Sequence, residues 1–247
     1  MGFNPEEKTI LVVDDEADLC EILQFDLEDV GYKTLTASQA HEALNQIEKN
    51  HVDLVVSDIR MPGGDGVYLL DSLREKDIEN PPVVFVSGFA DITVDEAYHK
   101  GVNSVFSKPL ATEKLLSYIE FSLKEPMERW KRQTDWTKES SIQLSFASIS
   151  EAKKSHKLAV GRGGAFVALE DSLPRASETF HFKFDIEDSQ STLEGLAVCR
   201  WQRNSAGEEE RHPKGVGIEF LELTDASIVF LNKYTQENAI IAQIPMY

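Results

Sequence analysis

Asp14-Asp15, Asp58 and Lys108 each follow a short apolar run: Ile10, Leu11, Val12 and Val13; Leu54, Val55, Val56 and Ser57; Val105, Phe106 and Ser107. Each ionisable group therefore stands where a short buried strand runs out. In an open parallel sheet the carboxyl ends of the strands share one crevice, so groups roughly 45 to 50 residues apart in sequence converge there. Three carboxylates at one spot repel one another, and Lys108 alone does not neutralise them. A hard divalent cation such as Mg2+, held by one or two carboxylates and a phosphate, is the natural complement. The chemistry that fits is phosphoryl transfer. An aspartate carboxylate attacks phosphorus only when its own charge and the donor's are offset, which a metal and Lys108 supply.

The elements that must position these groups are legible in the hydropathy pattern. Between residues 8 and 124, apolar runs at 9–13, 33–37, 53–57, 82–87 and 104–106 alternate with amphipathic segments near 16–29, 39–49, 66–76, 91–100 and 112–124. Strands alternating with helices predict a five-stranded, doubly wound parallel sheet. Gly31 and Gly101 fall where helices would end on a left-handed residue.

From residue 141 the pattern changes. Strands are expected at 141–149, 158–169, 179–186, 193–203 and 215–223, separated by turn-rich pieces near 171–174, 187–190 and 204–207, with a helix from Asp225 to about Gln243. That spacing predicts an all-β antiparallel barrel closed by a C-terminal helix. The expected domains are 1–124, a helical connector 125–140, and 141–247. In the connector region Leu116, Ile119, Leu123, Met127 and Trp130 recur at the three-four spacing of a coiled-coil seam, with Pro126 as a break. The first three are expected to face their own sheet. Met127 and Trp130 require a further partner, either a second subunit or the C-terminal half.

Composition narrows the function classes. The 247 residues carry a formal charge of −18, with 41% hydrophobic and 9% aromatic content. Residues 1–124 hold 24 acidic against 10 basic side chains, and residues 125–247 hold 19 against 15. Such a chain repels a phosphate backbone, so DNA binding is not expected. No segment has the length of a membrane span and the N-terminus is too polar for a signal peptide, so a cytoplasmic protein without membrane insertion is expected. Cys20 and Cys199 lack metal or disulfide spacing, which fits a reducing compartment. His156, His181 and His212 are scattered without ligand spacing. No Ser/His/Asp or Cys/His constellation is present, and the glycine run near Arg162 lacks the Lys-Ser/Thr of a P-loop.

Residues 8–124 resemble the receiver domain of bacterial response regulators in two-component phosphorelay systems. The resemblance rests on Asp14-Asp15, Asp58 with Ile59-Arg60-Met61-Pro62 and Asp65-Gly66 after it, Ser87-Gly88, Phe106, and Lys108-Pro109. It implies that Asp58 is the phosphoacceptor and Lys108 contacts the phosphate. Asp15, Asp58 and the Arg60 backbone carbonyl would hold Mg2+, with Asp14 supporting through water. Ser87 and Phe106 would form the switch, and a histidine kinase would be the donor. Arg60 and Phe89 stand where the family tunes hydrolysis, and neither side chain positions a water readily. A long-lived phosphorylated state is therefore expected.

The C-terminal half resembles a PilZ domain, a family that often binds cyclic di-GMP, through Arg162-Gly163-Gly164-Ala165-Phe166-Val167, the strand ending near Arg203, and Gly215-Val216-Gly217-Ile218-Glu219-Phe220. Ligand-binding members carry Asp/Asn and Ser where this chain has Ala159 and Gly161, and the lost side chains would contact guanine and phosphate. Arg129, Arg132 and Arg162 could leave a weak anion site, although Arg129 and Arg132 lack the i, i+4 spacing and Trp136 stands at the next such position. The expectation is therefore a response regulator whose PilZ-like half acts as a protein-interaction or dimerisation module, a homodimer with a downstream protein partner. Cyclic di-GMP binding is not expected, and no enzyme activity beyond self-phosphorylation and slow dephosphorylation at Asp58. The alternative is a cyclic di-GMP receptor gated by phosphorylation.

Overall fold

The computed structural model describes residues 3–62, 65–88, 92–131, 133, 141–170, 173–203 and 213–246. Phe89, Arg132, Trp136 and His212 lie outside them. The chain divides into two compact units, residues 1–93 with 100–124, and residues 94–99 with 125–247.

The first unit holds a five-stranded parallel sheet. Its strands are β1 (Thr9–Val13), β2 (Lys33–Ala37), β3 (Leu54–Asp58), β4 (Val83–Ser87) and β5 (Ser104–Ser107), in the order β2-β1-β3-β4-β5. Between them in sequence lie α1 (Ala17–Asp29), α2 (Ala40–Lys49), α3 (Gly66–Lys76) and α4 (Val94–His99), with α5 (Thr112–Leu123) after β5. β3 is buried along its whole length, as a central parallel strand covered on both faces must be. The expected left-handed residues are there, Gly31 at φ 99° and Gly101 at φ 95°. Ile119 is buried against the sheet with Leu116 and Leu123 packed beside it, so this stretch faces its own core as expected.

The second unit takes in α4, continues from α6 (Pro126–Arg129) and contains a six-stranded sheet. Its strands are β6 (Ser141–Phe146), β7 (Leu158–Val160), β8 (Gly164–Ala168), β9 (Thr179–Ile186), β10 (Ser191–Arg203) and β11 (Gly215–Leu223), in the order β6-β9-β10-β11-β8-β7. β9 alternates strictly, placing Phe180, Phe182, Phe184 and Ile186 inside. Phe182 stacks on Phe220 at 5.2 Å. The helix α8 (Asp225–Asn238) buries Ile228 and Leu231, and ends at Ala239 in the left-handed region.

Three expectations for this half are corrected. The sheet is mixed rather than antiparallel, because β6 pairs parallel with β9, a pairing the long intervening chain permits. The expected 158–169 strand is two strands, β7 and β8, folded back at Gly161-Arg162-Gly163. Gly164 lies there so close to the Ile218 carbonyl that a Cβ would overlap it. A short helix, α7 (Ile149–Lys154), also follows β6, where the sequence reading continued the strand.

Trp130 is 3% exposed; its Nε1 donates to the Phe220 carbonyl at 3.2 Å and its own carbonyl accepts from the Leu223 amide at 2.8 Å. Its partner is therefore the C-terminal sheet, whereas Met127 stays 45% exposed. Both cysteines are buried and free. Burial raises the Cys20 thiol and pushes Cys199 up to about 11 from 9.0. Since the thiolate is the nucleophile, alkylation of native Cys199 at pH 8 should be slower than in urea by about a hundredfold or more, readable by mass spectrometry.

Candidate functional site

The strand ends bring the singled-out residues together. Asp58 is the last residue of β3, Asp14 follows β1, and Lys108 follows β5. Lys108 Nζ lies 3.0 Å from Asp58 Oδ2 and 3.1 Å from Asp14 Oδ2. Carboxylate oxygens of Asp14, Asp15 and Asp58 lie within 4.8 Å of one another, close enough for one metal ion. Asp14 and Asp58 are buried whereas Asp15 is exposed. The cluster therefore has two anchored carboxylates and one facing water, an arrangement that lets a hydrated cation enter.

Local backbone geometry fixes the buried pair. Asp58 Oδ1 accepts from the Ile59 amide at 2.7 Å, and Asp14 Oδ1 accepts from the Glu16 amide at 2.9 Å. Each carboxylate therefore has one oxygen held by backbone and the other on Lys108. Behind Asp58 the loop returns so tightly that the Gly66 amide donates to the Ile59 carbonyl at 2.8 Å. A Cβ at Gly66 would overlap the Asp58 carbonyl and lie 3.1 Å from Ile59 Cα. Asp65 caps the following helix, accepting from the Tyr68 amide at 2.7 Å. Gly66→Ala should therefore destabilise the protein by about 1–3 kcal/mol in urea unfolding, because rigid backbone has to move.

Electrostatics at the cluster are unbalanced toward negative charge. Burial raises the Asp14 carboxyl above its ordinary value, outweighing the Glu16 amide and Lys108, which act to lower it. For Lys108, burial acts to lower the ammonium, but hydrogen bonds to Asp58 and Asp14 outweigh it and hold it above the ordinary value. In sign, the raised Asp14 makes the folded state hold that proton more tightly than the unfolded chain, so its ionisation at neutral pH opposes folding. Lys108 does the reverse, adding stability that is lost only as pH rises through its elevated value. A bound cation would relieve the first effect.

The remaining singled-out residues are placed as follows. Ser87 ends β4, and its hydroxyl makes no hydrogen bond among the described residues, so it is available as a donor. Phe106 lies in β5 edge-on to Tyr118 at 5.8 Å, and Tyr118 in turn donates to the Asn103 carbonyl at 2.6 Å. The Arg60 side chain is exposed. Glu16, which the sequence reading missed, lies 3.7 Å from Lys108 Nζ. The acidic run Asp14-Asp15-Glu16 was the available signal for it.

Of the arginines singled out in the second unit, the described Arg162 and Arg129 are engaged by their own chain. Arg162 is 9% exposed and its Nε donates to the Ile241 carbonyl at 2.9 Å, while its amide donates to the Ala242 carbonyl at 2.9 Å. The Arg129 guanidinium lies over the Trp130 ring at 5.3 Å. Ala159 is buried in β7. His181 pairs across strands with Glu194 at 3.1 Å, a structural role for that histidine.

Residues 10–120 match the family "Response regulator receiver domain". The chain is 30% identical over 117 residues to the alkaline phosphatase synthesis transcriptional regulatory protein PhoP of Bacillus subtilis (strain 168), across 47% of this chain and 49% of that one. It is 32% identical over 108 residues to the sensor histidine kinase RcsC of Escherichia coli (strain K12), across 44% of this chain and 11% of that one. The chain thus spans about half the length of the first relative and a small part of the second. Among solved structures it is similar to the response regulator TrrA of Thermotoga maritima in complex with Mg(2+)-BeF, at 28% identity and TM-score 0.44, covering 47% of this chain and 99% of that one. A Francisella response regulator receiver domain is 31% identical with TM-score 0.44, covering 49% and 97%. With the acid cluster in place and the family matched, residues 10–120 are a response regulator receiver domain.

Proposed function

We propose that Asp58 accepts a phosphoryl group from a histidine kinase, and that the change alters how the C-terminal half engages a protein partner or a second copy of the chain. The observation that carries the first part is the placement of Lys108 Nζ between Asp58 and Asp14 at 3.0 and 3.1 Å. Asp58 Oδ2 is the attacking atom, since Oδ1 is held by the Ile59 amide. Lys108 offsets the charge that builds on the phosphoryl oxygens. Asp15 and Asp58, with the Arg60 carbonyl and with Asp14 through water, would hold Mg2+, which offsets negative charge on the phosphoryl group when bound. The donor set is all oxygen, which suits Mg2+ and not a soft metal. Afterwards the Ser87 hydroxyl donates to a phosphoryl oxygen and Phe106 turns into the vacated space, a local charge change that biases a two-state surface.

The C-terminal half is PilZ-like in this reading, and lacks the cyclic di-GMP site. Ala159 and Gly161 supply no polar side chain, and Arg162 is already engaged with the Ile241 carbonyl. The test combines isothermal titration with cyclic di-GMP and mass in solution, each with and without Mg2+ and beryllofluoride. The expected result is a response of the mass to beryllofluoride with no nucleotide heat. Micromolar or tighter nucleotide binding would instead support the gated receptor. The phosphorylated protein should also decay over minutes to hours, because the exposed Arg60 side chain offers no fixed carboxamide to orient water. A half-life of seconds, read by loss of label, would contradict this.

A further inference from the structure

Helix α8 presents two different faces. Ile228, Leu231 and Thr235 are buried. Val229, Phe230 and Tyr234 instead turn toward a groove of about 740 Å³ whose far wall is Ile149 and Ile186. Val229 is 60% exposed, an unusual position for a branched apolar side chain with its neighbours also apolar. Phe230 and Tyr234 stack with centroids 6.1 Å apart, giving the floor a flat aromatic stretch. Burial raises the Tyr234 phenol, and its hydroxyl makes no hydrogen bond among the described residues, so it is available to an occupant.

The groove follows α8 from Asp225 to Glu237. At 1.5 Å per residue this is about 18 Å, or roughly three helical turns. Its rim is acidic: Asp188, Asp225 and Glu237 stand around it, and Lys233, the one cation among the described lining residues, already lies 3.9 Å from Glu237. A lining of this length, apolar below and negative above, is complementary to a helix with one apolar face and basic flanks. A second copy of this chain fits poorly. Among the described residues the most exposed apolar helix pair elsewhere, Ile22 and Phe25 on α1, is 58% and 70% exposed, and its helix carries only acidic charges. Bringing it to this rim would set carboxylate against carboxylate.

We infer that the groove between α8 and Ile149/Ile186 binds a basic amphipathic helix of a partner protein, about three turns long. This supplies a partner chemistry for the interaction role proposed above and rests on that reading. Binding in the groove needs no phosphoryl group, so it is measured on the unphosphorylated full chain and again on Asp58→Asn. A failed phosphoryl switch and a failed groove are thereby separate results.

The probe is a fluorescent synthetic peptide of about three to four turns, with Leu at i, i+3/i+4 and i+7 and Lys elsewhere. Two controls accompany it, one with scrambled order and one with Glu in place of Lys. The expected result is saturable anisotropy for the Leu/Lys peptide in both proteins, at least about tenfold weaker for the controls, and weakening with salt. Val229→Glu, at an exposed position that tolerates charge, should lose at least about tenfold, and Tyr234→Phe should lose less. Equal binding by Val229→Glu, or equal binding of the scrambled peptide, overturns the inference. So does a result in which Val229→Glu changes only the self-association mass of the chain, since the groove would then serve a second copy.

Discussion

Asp58→Asn abolishes phosphoryl incorporation from an acyl phosphate donor in the presence of Mg2+, to the level of the denatured protein. The amide oxygen is not an anionic nucleophile, and no second carboxylate replaces it. Burial holds the Asp14 carboxyl above its ordinary value, which disfavours the anionic nucleophile there, and Asp15 is anchored by no described hydrogen bond. The substitution leaves the fold intact: Lys108 keeps Asp14, and the stability change stays within about 1 kcal/mol. Lys108→Ala behaves differently, because it strips the ammonium from two buried carboxylates at once. Phosphorylation is lost and stability falls by about 1–3 kcal/mol, the cost of leaving buried polar groups unpaired. Removing the positive charge also strengthens the attraction of the three carboxylates for a cation. Mg2+ should therefore raise the melting temperature of Lys108→Ala by more than that of the wild type. A larger Mg2+ response in the wild type would show that Lys108 does not compete for the carboxylate charge.

Trp130→Ala is expected to cost the second unit about 3–5 kcal/mol, a large share of the 5–15 kcal/mol of a typical domain. The indole is 3% exposed, and its loss removes the Phe220 hydrogen bond together with the packing beside the Leu223 pairing. Trp130→Phe, which keeps a ring but loses the N–H, should cost about 1–3 kcal/mol. All three tryptophans lie beyond residue 124, so urea unfolding followed by tryptophan fluorescence reports on this half of the chain. Phosphorylation of Asp58 should survive, since Trp130 lies outside residues 10–120. An unmoved fluorescence transition would mean that Trp130 is not an anchor of the sheet.

The receiver half was legible because its signals are local. Short β-branched runs such as Ile10 to Val13, set between helical patterns, read as strands, and β1 and β2 fall at the expected residues. Phe180, Phe182 and Phe184 alternate with polar residues, so β9 was equally plain. The short helix α7 had a signal that went unread. Ser148 stands three residues before Glu151, and its hydroxyl accepts from the Glu151 amide at 3.0 Å, a helix start placed inside an apolar stretch. The hairpin at Gly161 to Gly163 was hidden because Leu158 to Leu169 reads as one apolar run, and what folds it is contact with distant backbone.

By itself the sequence determined which residues could carry the chemistry. Strand ends in a parallel sheet meet by rule, so Asp14, Asp15, Asp58 and Lys108 could be assigned to one place before any coordinate was known. Tertiary structure alone decided what depends on partners far along the chain. The Trp130 ring could have met a second subunit, and it meets a carbonyl 90 residues later. The strand at Ser141–Phe146 could have paired in either sense, and it lies parallel to β9. Val229 could have joined the core with Ile228, and it faces a groove instead. Period and composition describe which face of an element is apolar, whereas the identity of the group that covers that face is set only when separate elements close upon one another.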